Sequence, residues 1–131
     1  MRIIRTLVAD DDAGFRQRVR EFLASEPDIE VVGEAGDGDE AILSARELKP
    51  DLVLMDVRMP KMNGVGATRQ LKDEMPEVEV IMVSVFDLPE YREAAMASGA
   101  SGYVVKKLMV EQLVPEIRRV CSDQRSVSDG E

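Results

Sequence analysis

The chain has 131 residues, of which 44% are hydrophobic and 33% charged, a size and balance that fit one soluble globular domain and argue against a disordered or a membrane protein. Its formal net charge of -9 argues against nucleic acid or an anionic membrane surface as a partner, because phosphate binding depends on clustered Lys and Arg. Without a single His, the chain can build neither Ser-His nor Cys-His catalysis nor a histidine zinc site, and its lone Cys121 fits a reducing compartment.

Residues 3–9, IIRTLVA, form a short apolar run that ends in Asp10, Asp11 and Asp12. Phe15, Val19, Phe22 and Leu23 then recur at helical spacing, so the order is strand, then helix, with Asp12 as the helix cap and Pro27 as the stop. IEVVGEA is the second strand, and Asp37 with Glu40 reads as a capping box for a second helix through Ala41, Ala45 and Leu48. DLVLMD, EVIMVS and SGYVVK are three further strands, with helices expected around 64–75, 89–98 and 109–121. The fourth helix is opened by Pro89 and closed by Gly99. Five strands alternating with five helices predict a doubly wound α/β fold with a parallel sheet and right-handed crossovers. No apolar run is long enough to span a bilayer, and the N-terminus lacks the apolar core of a secretory signal, so a cytoplasmic location is expected. Residues 122–131 carry no apolar period and read as a flexible tail or the start of a linker after a domain covering 1–121.

In an open parallel sheet the ligand lies beyond the carboxyl ends of the strands. The polar residues there are Asp10 and Asp11 after the first strand, Asp56 after the third, Ser84 at the end of the fourth and Lys106 after the fifth. Three converging carboxylates repel one another unless a cation neutralises them. Oxygen ligands with room for a phosphate oxygen suit Mg2+, or Mn2+, better than a closed calcium cage.

The ordered set LVADDD, LVLMDVRMPKMNG, VIMVS and GYVVKK resembles the receiver domain of two-component response regulators over residues 3 to 120. The resemblance implies a flavodoxin-like (CheY-like) fold with strand order 2-1-3-4-5. It implies Asp56 as phospho-acceptor, Asp11 as the main metal carboxylate, Asp10 as its aid, and the backbone carbonyl of Arg58 as a further ligand. Lys106 and Ser84 would stabilise the phosphoryl oxygens, and Ser84 with Tyr103 would form the switch pair. The state would be read on the surface of the fourth helix, fifth strand and fifth helix, which could also form a homodimer. The donor would be a sensor histidine kinase or a phosphotransfer protein, since the chain has no His of its own.

DVRMPKMNGVGATRQL and ASGYVVKK are most similar to the NarL/FixJ-like subclass, in which a receiver precedes a DNA-binding helix-turn-helix domain. On that reading the chain is a receiver fragment of a transcription regulator, with a natural single-domain switch or a phosphorylation-independent docking module as alternatives. It is a signalling domain that assists its own phosphorylation and dephosphorylation, not an enzyme with turnover. A haloacid-dehalogenase-type phosphatase fits less well, since Gly14 stands where that pattern needs Thr or Val. Three departures from the receiver pattern stand out. Lys107 follows the lysine where a cis proline is usual, the bulky Val85 follows the switch hydroxyl where its side chain would narrow access, and Pro115 interrupts the last helix.

Overall fold

The computed structural model describes residues 2–129, with side chains described for 2–121. The elements follow in the order β1 (Ile4–Ala9), α1 (Ala13–Leu23), β2 (Ile29–Ala35), α2 (Gly38–Leu48), β3 (Leu52–Met55), α3 (Gly64–Glu74), β4 (Glu79–Ser84), α4 (Pro89–Ala97), β5 (Gly102–Val105) and α5 (Met109–Asp129). The five strands form one parallel sheet in the order β2-β1-β3-β4-β5, as the resemblance implied.

Each strand feeds both faces of the sheet by alternation. Leu7, Val53, Met55, Val80 and Met82 pack against Ala41, Ala45, Ala67 and Leu71 of α2 and α3. Val8, Leu52, Leu54, Ile81 and Val83 pack against Phe15, Val19 and Leu23 of α1 and Leu113 and Ile117 of α5. Covering on both faces explains why β3 and β4 read as continuous apolar runs.

Helix boundaries follow local chemistry. Asp12 caps α1 by accepting from the amides of Gly14 (2.9 Å) and Phe15 (3.3 Å). The helix stops at Leu23, four residues ahead of the Pro27 that was expected to close it. The amide of Glu26 turns back to the Leu23 carbonyl (2.9 Å), and a residue before proline disfavours the helical region. Asp37 accepts from the Glu40 amide (2.8 Å), while the Glu40 carboxylate reaches the Gly36 amide, one residue short of the expected box. Pro89 opens α4, and Gly99 follows its end at φ +109°, where a side chain would be strained.

Helix α5 extends to Asp129, past the expected end at 121, and contains Pro115. Pro115 and Glu111 are both exposed, so the Glu111 carbonyl that loses its amide partner is open to water and the helix continues. The side chains of 122–131 lie outside the described residues, as do residues 130 and 131 altogether. No helix of the described residues is long and apolar enough to cross a membrane.

Candidate functional site

The sheet register brings the sequence-predicted residues together. Ala9 pairs with Met55, and the ladder continues one residue further through the Asp56 amide, which donates to the Ala9 carbonyl (2.9 Å). Asp10 and Asp56 therefore leave adjacent strands side by side. Ser84 pairs with Val105, so Lys106 emerges one residue beyond it.

Carboxylate oxygens of Asp10, Asp11 and Asp56 all lie within 4.8 Å of one another. Asp10 is 1% exposed, Asp56 is buried, and Asp11 is exposed at the mouth. Lys106 Nζ sits 2.6 Å from Asp10 Oδ2 and 3.7 Å from Asp56 Oδ2. The first pair is close in distance, yet its angle falls outside a hydrogen bond, so Asp10 Oδ2 keeps an unsatisfied lone pair. Burial, and then the neighbouring Asp10 carboxylate, push the Asp56 carboxyl from its ordinary value of 3.8 to about 6; Lys106 offsets part of this.

One lysine against three carboxylates leaves net negative charge in a small, largely buried space. An unsatisfied buried oxygen, a raised carboxyl pKa and an all-oxygen donor set are what a divalent hard cation would relieve, so these residues fit one. Arg58 lies beside Asp11 in one cleft with Met59 and Pro60.

Two glycines set the loop that leads away from Asp56. A Cβ on Gly64 would stand 1.9 Å from the Asp56 carbonyl oxygen, and one on Gly38 would stand 2.1 Å from the Met62 carbonyl oxygen. The Gly64 amide donates to the Val57 carbonyl (2.7 Å), closing the loop under Asp56. Lys61 takes a positive φ of 67° at its tip.

On the other side, Ser84 is fully buried, and its Oγ accepts from the Phe86 amide (3.1 Å). The buried Tyr103 donates its hydroxyl to the Phe86 carbonyl (2.7 Å). The Phe86 ring stacks on Tyr91 of α4 with centroids 4.3 Å apart, and the Arg58 guanidinium lies 5.5 Å from the centroid of the Phe86 ring. The peptide between Lys106 and Lys107 is trans, as are all the described peptide bonds, and these residues open a single 3-10 turn ahead of α5. Val85 is 63% exposed, so its bulk stands at the rim of the cleft around Lys106.

Sequence reasoning took Phe15 only as a helix-face residue and passed over Arg16. The Phe15 ring centroid lies 4.2 Å from Lys106 Nζ, and Arg16 donates to the Asp10 carbonyl while pairing with Glu34. Neither contact has a motif signal, because both arise from the approach of α1 to the strand ends. A cavity of about 420 Å³ lies elsewhere, at the amino ends of β1 and β2 beside Ile3, Leu23 and Pro27, and has no part in this cluster.

Fold and site together define a flavodoxin-like α/β domain whose strand ends hold an acidic cluster, a lysine and a buried hydroxyl. The profile of the response regulator receiver domain matches residues 6–118, and the chain belongs to that family, the receiver domains of two-component signal transduction. It is 40% identical over 126 residues to "Response regulator GacA" of Pseudomonas aeruginosa, covering 96% of this chain and 59% of that protein. Among solved structures, a LuxR-family two-component response regulator from Aurantimonas superposes with a TM-score of 0.88 at 30% identity, covering 92% of this chain and 86% of that one. The signal receiver domain of the putative response regulator NarL from Mycobacterium tuberculosis gives 0.80 at 29% identity, with coverage of 88% and 96%. These similarities agree with the NarL/FixJ-like subclass. The chain spans about half to three-fifths of the length of the curated relatives it matches.

Proposed function

We propose that Asp56 of this receiver domain accepts a phosphoryl group from the phosphohistidine of a separate protein. The observation behind this reading is the crowding of Asp10, Asp11 and Asp56 around Lys106 at the carboxyl ends of adjacent strands. An Asp56 carboxylate oxygen attacks phosphorus in line, an O–P bond forms, and the P–N bond to the donor imidazole breaks. Lys106 neutralises one phosphoryl oxygen, and the Ser84 hydroxyl, whose oxygen now accepts from Phe86, has its own proton free to donate to another. Asp10, Asp11, Asp56 and the Arg58 carbonyl would hold Mg2+ or Mn2+. When bound, the metal supplies charge neutralisation at the transferring group.

Receiver domains of response regulators interact with histidine kinases or phosphotransfer proteins, and the partner here is read as one of these. Phosphorylation moves Ser84 toward the phosphoryl group, and Tyr103 with it changes the face of α4, β5 and α5. Met96 of α4 and Val110 of α5 are exposed apolar residues that suit a homodimer contact. In the whole protein the output is control of transcription through a DNA-binding domain outside this chain, with residues 1–121 as the receiver, 122–131 as tail or linker, and the cytoplasm as location. The chain is read as a switch with one covalent event per signal, not as an enzyme with turnover. Intact mass with magnesium and acetyl phosphate tests this: one phosphoryl adduct in wild type and none in Asp56→Asn supports it. An adduct that persists in the variant, or none in folded wild type, overturns it.

A further inference from the structure

The site lysine is held by more than its carboxylates. Lys106 has a long stem with four freely rotating bonds, and its ammonium is attracted most strongly to Asp10, which is 2.6 Å away. Left to that pair alone, the ammonium would settle on Asp10 or swing out along the open cleft beyond Val85 and Lys107. The Phe15 ring closes the remaining side, with its centroid 4.2 Å from Nζ, while Asp56 Oδ2 stands 3.7 Å away. An aromatic face carries negative charge density and attracts a cation without competing for its N–H donors. The ring can therefore hold the ammonium near Asp56 and still leave its protons for an incoming oxygen.

Phe15 is itself fixed by the aspartate run. The Asp12 amide donates to Asp10 Oδ1 (2.9 Å), and Asp12 Oδ1 accepts from the Phe15 amide (3.3 Å). The ring is thereby tied, within five residues of chain, to the same Asp10 that pairs with Lys106. It is also buried, which removes water from that side of the ammonium and strengthens the attraction. The Arg18 guanidinium, 5.4 Å from the ring centroid, adds a second cation to the cleft.

We propose that Phe15 is a positioning residue for phosphoryl transfer, whose ring face holds the Lys106 ammonium between Asp10 and Asp56. This rests on the reading of Asp56 as acceptor. It concerns how the lysine is kept in place before the phosphoryl group arrives.

The test measures the rate of acetyl phosphate labelling with magnesium, by intact mass, together with thermal melting of every variant. Phe15→Leu keeps an apolar side chain, and a trifluorinated phenylalanine at position 15 keeps the shape while draining charge from the ring face. Phe15→Leu is expected to slow labelling about five- to tenfold. The fluorinated ring should slow it in the same sense with melting unchanged. In a Lys106→Ala background, Phe15→Leu should slow labelling no further, because the ring then has no ammonium to hold. Labelling of the fluorinated protein at the wild-type rate overturns the proposal. So does an equal slowing by Phe15→Leu with and without Lys106, which would mark Phe15 as a packing residue only. If wild type is labelled on Asp56 and slowed by Lys106→Ala while both Phe15 changes are silent, this inference falls and the acceptor reading stands. If labelling does not depend on Asp56, both fall.

Discussion

The hydroxyl of Tyr103 donates to the Phe86 carbonyl at 2.7 Å, and the amide of that same residue donates to Ser84 Oγ at 3.1 Å. Ser84 and Tyr103 are thus joined through one residue, and on the proposed reading movement of the serine hydroxyl toward an anion on Asp56 would release the Phe86 amide. The Phe86 ring stacks on Tyr91, so such a displacement would be passed to α4.

Ser84→Ala and Tyr103→Phe should separate the two ends of this link. Ser84→Ala removes the hydroxyl proposed to donate to the phosphoryl group, and labelling by acetyl phosphate should slow by about tenfold or more. Tyr103→Phe removes only the bond to the Phe86 carbonyl, and it should cost about 1 kcal/mol in urea denaturation while labelling stays within about twofold. A large loss of labelling in Tyr103→Phe would place the tyrosine in the chemistry and not in its readout.

The raised Asp56 carboxyl has a stability consequence of definite sign in chelated, metal-free protein. The folded state holds this proton up to about pH 6, the unfolded state only to about 3.8. Between those values the folded state binds more protons, so this group's contribution to stability falls as pH rises through the window and stays unfavourable above it. The full difference corresponds to about 3 kcal/mol. Solvent screening at a site that is not sealed reduces the expected gain from Asp56→Asn at neutral pH to about 1 to 2 kcal/mol. The gain should shrink toward zero below pH 4. Denaturation of both proteins at several pH values with a chelator checks this, and a variant less stable than wild type at neutral pH would refute it.

The five strands, the five helices and the polar residues at the strand ends, Asp10, Asp11, Asp56, Ser84 and Lys106, were legible because each follows from a local pattern, whereas the sheet order came only with the resemblance to receiver domains. An apolar run ends in a polar residue, and parallel registration does the rest. What was not legible depended on approach between elements. Phe15 has the spacing of a core residue and is one, yet its ring face also meets Lys106 from the other end of the chain. Arg16 reaches the Asp10 carbonyl for the same reason. The early stop of α1 has no signal of its own, because Pro27 marks a break in the sequence while the turn that brings the Glu26 amide to the Leu23 carbonyl ends the helix before it.

Gly64 and Gly66 are two residues apart at the start of α3, and their replacement by alanine should have opposite signs. A Cβ at Gly64 meets the Asp56 carbonyl oxygen at 1.9 Å, which forces the loop away from the strand end, at a cost of about 2 to 4 kcal/mol. A Cβ at Gly66 meets Met62 Cγ at 3.5 Å and Asn63 Oδ1 at 3.7 Å, both ordinary contacts, and alanine in a helix should stabilise by about 0.5 to 1 kcal/mol. Urea denaturation of the two variants measures both. If Gly64→Ala were neutral, the loop would not be held where the Val57 carbonyl bond places it.

Divalent metal should stabilise the folded protein through Asp11 in particular. A cation that binds only the folded state adds about 2.7 kcal/mol at a hundred times its dissociation constant. Asp11 is exposed, and the Lys106 ion pairs at the site are made with Asp10 and Asp56, so its removal leaves that internal pairing intact. Asp11→Asn is therefore expected to change metal-free stability by no more than about 0.5 kcal/mol. It should nevertheless abolish most of the rise in melting temperature that magnesium gives to wild type. Sodium chloride at matched ionic strength separates binding from screening, because screening acts on the cluster through bulk ionic strength and does not need Asp11. An equal magnesium shift in Asp11→Asn, or an equal shift from sodium chloride in wild type, would mean that the carboxylates are relieved by diffuse counterions and not by a bound metal.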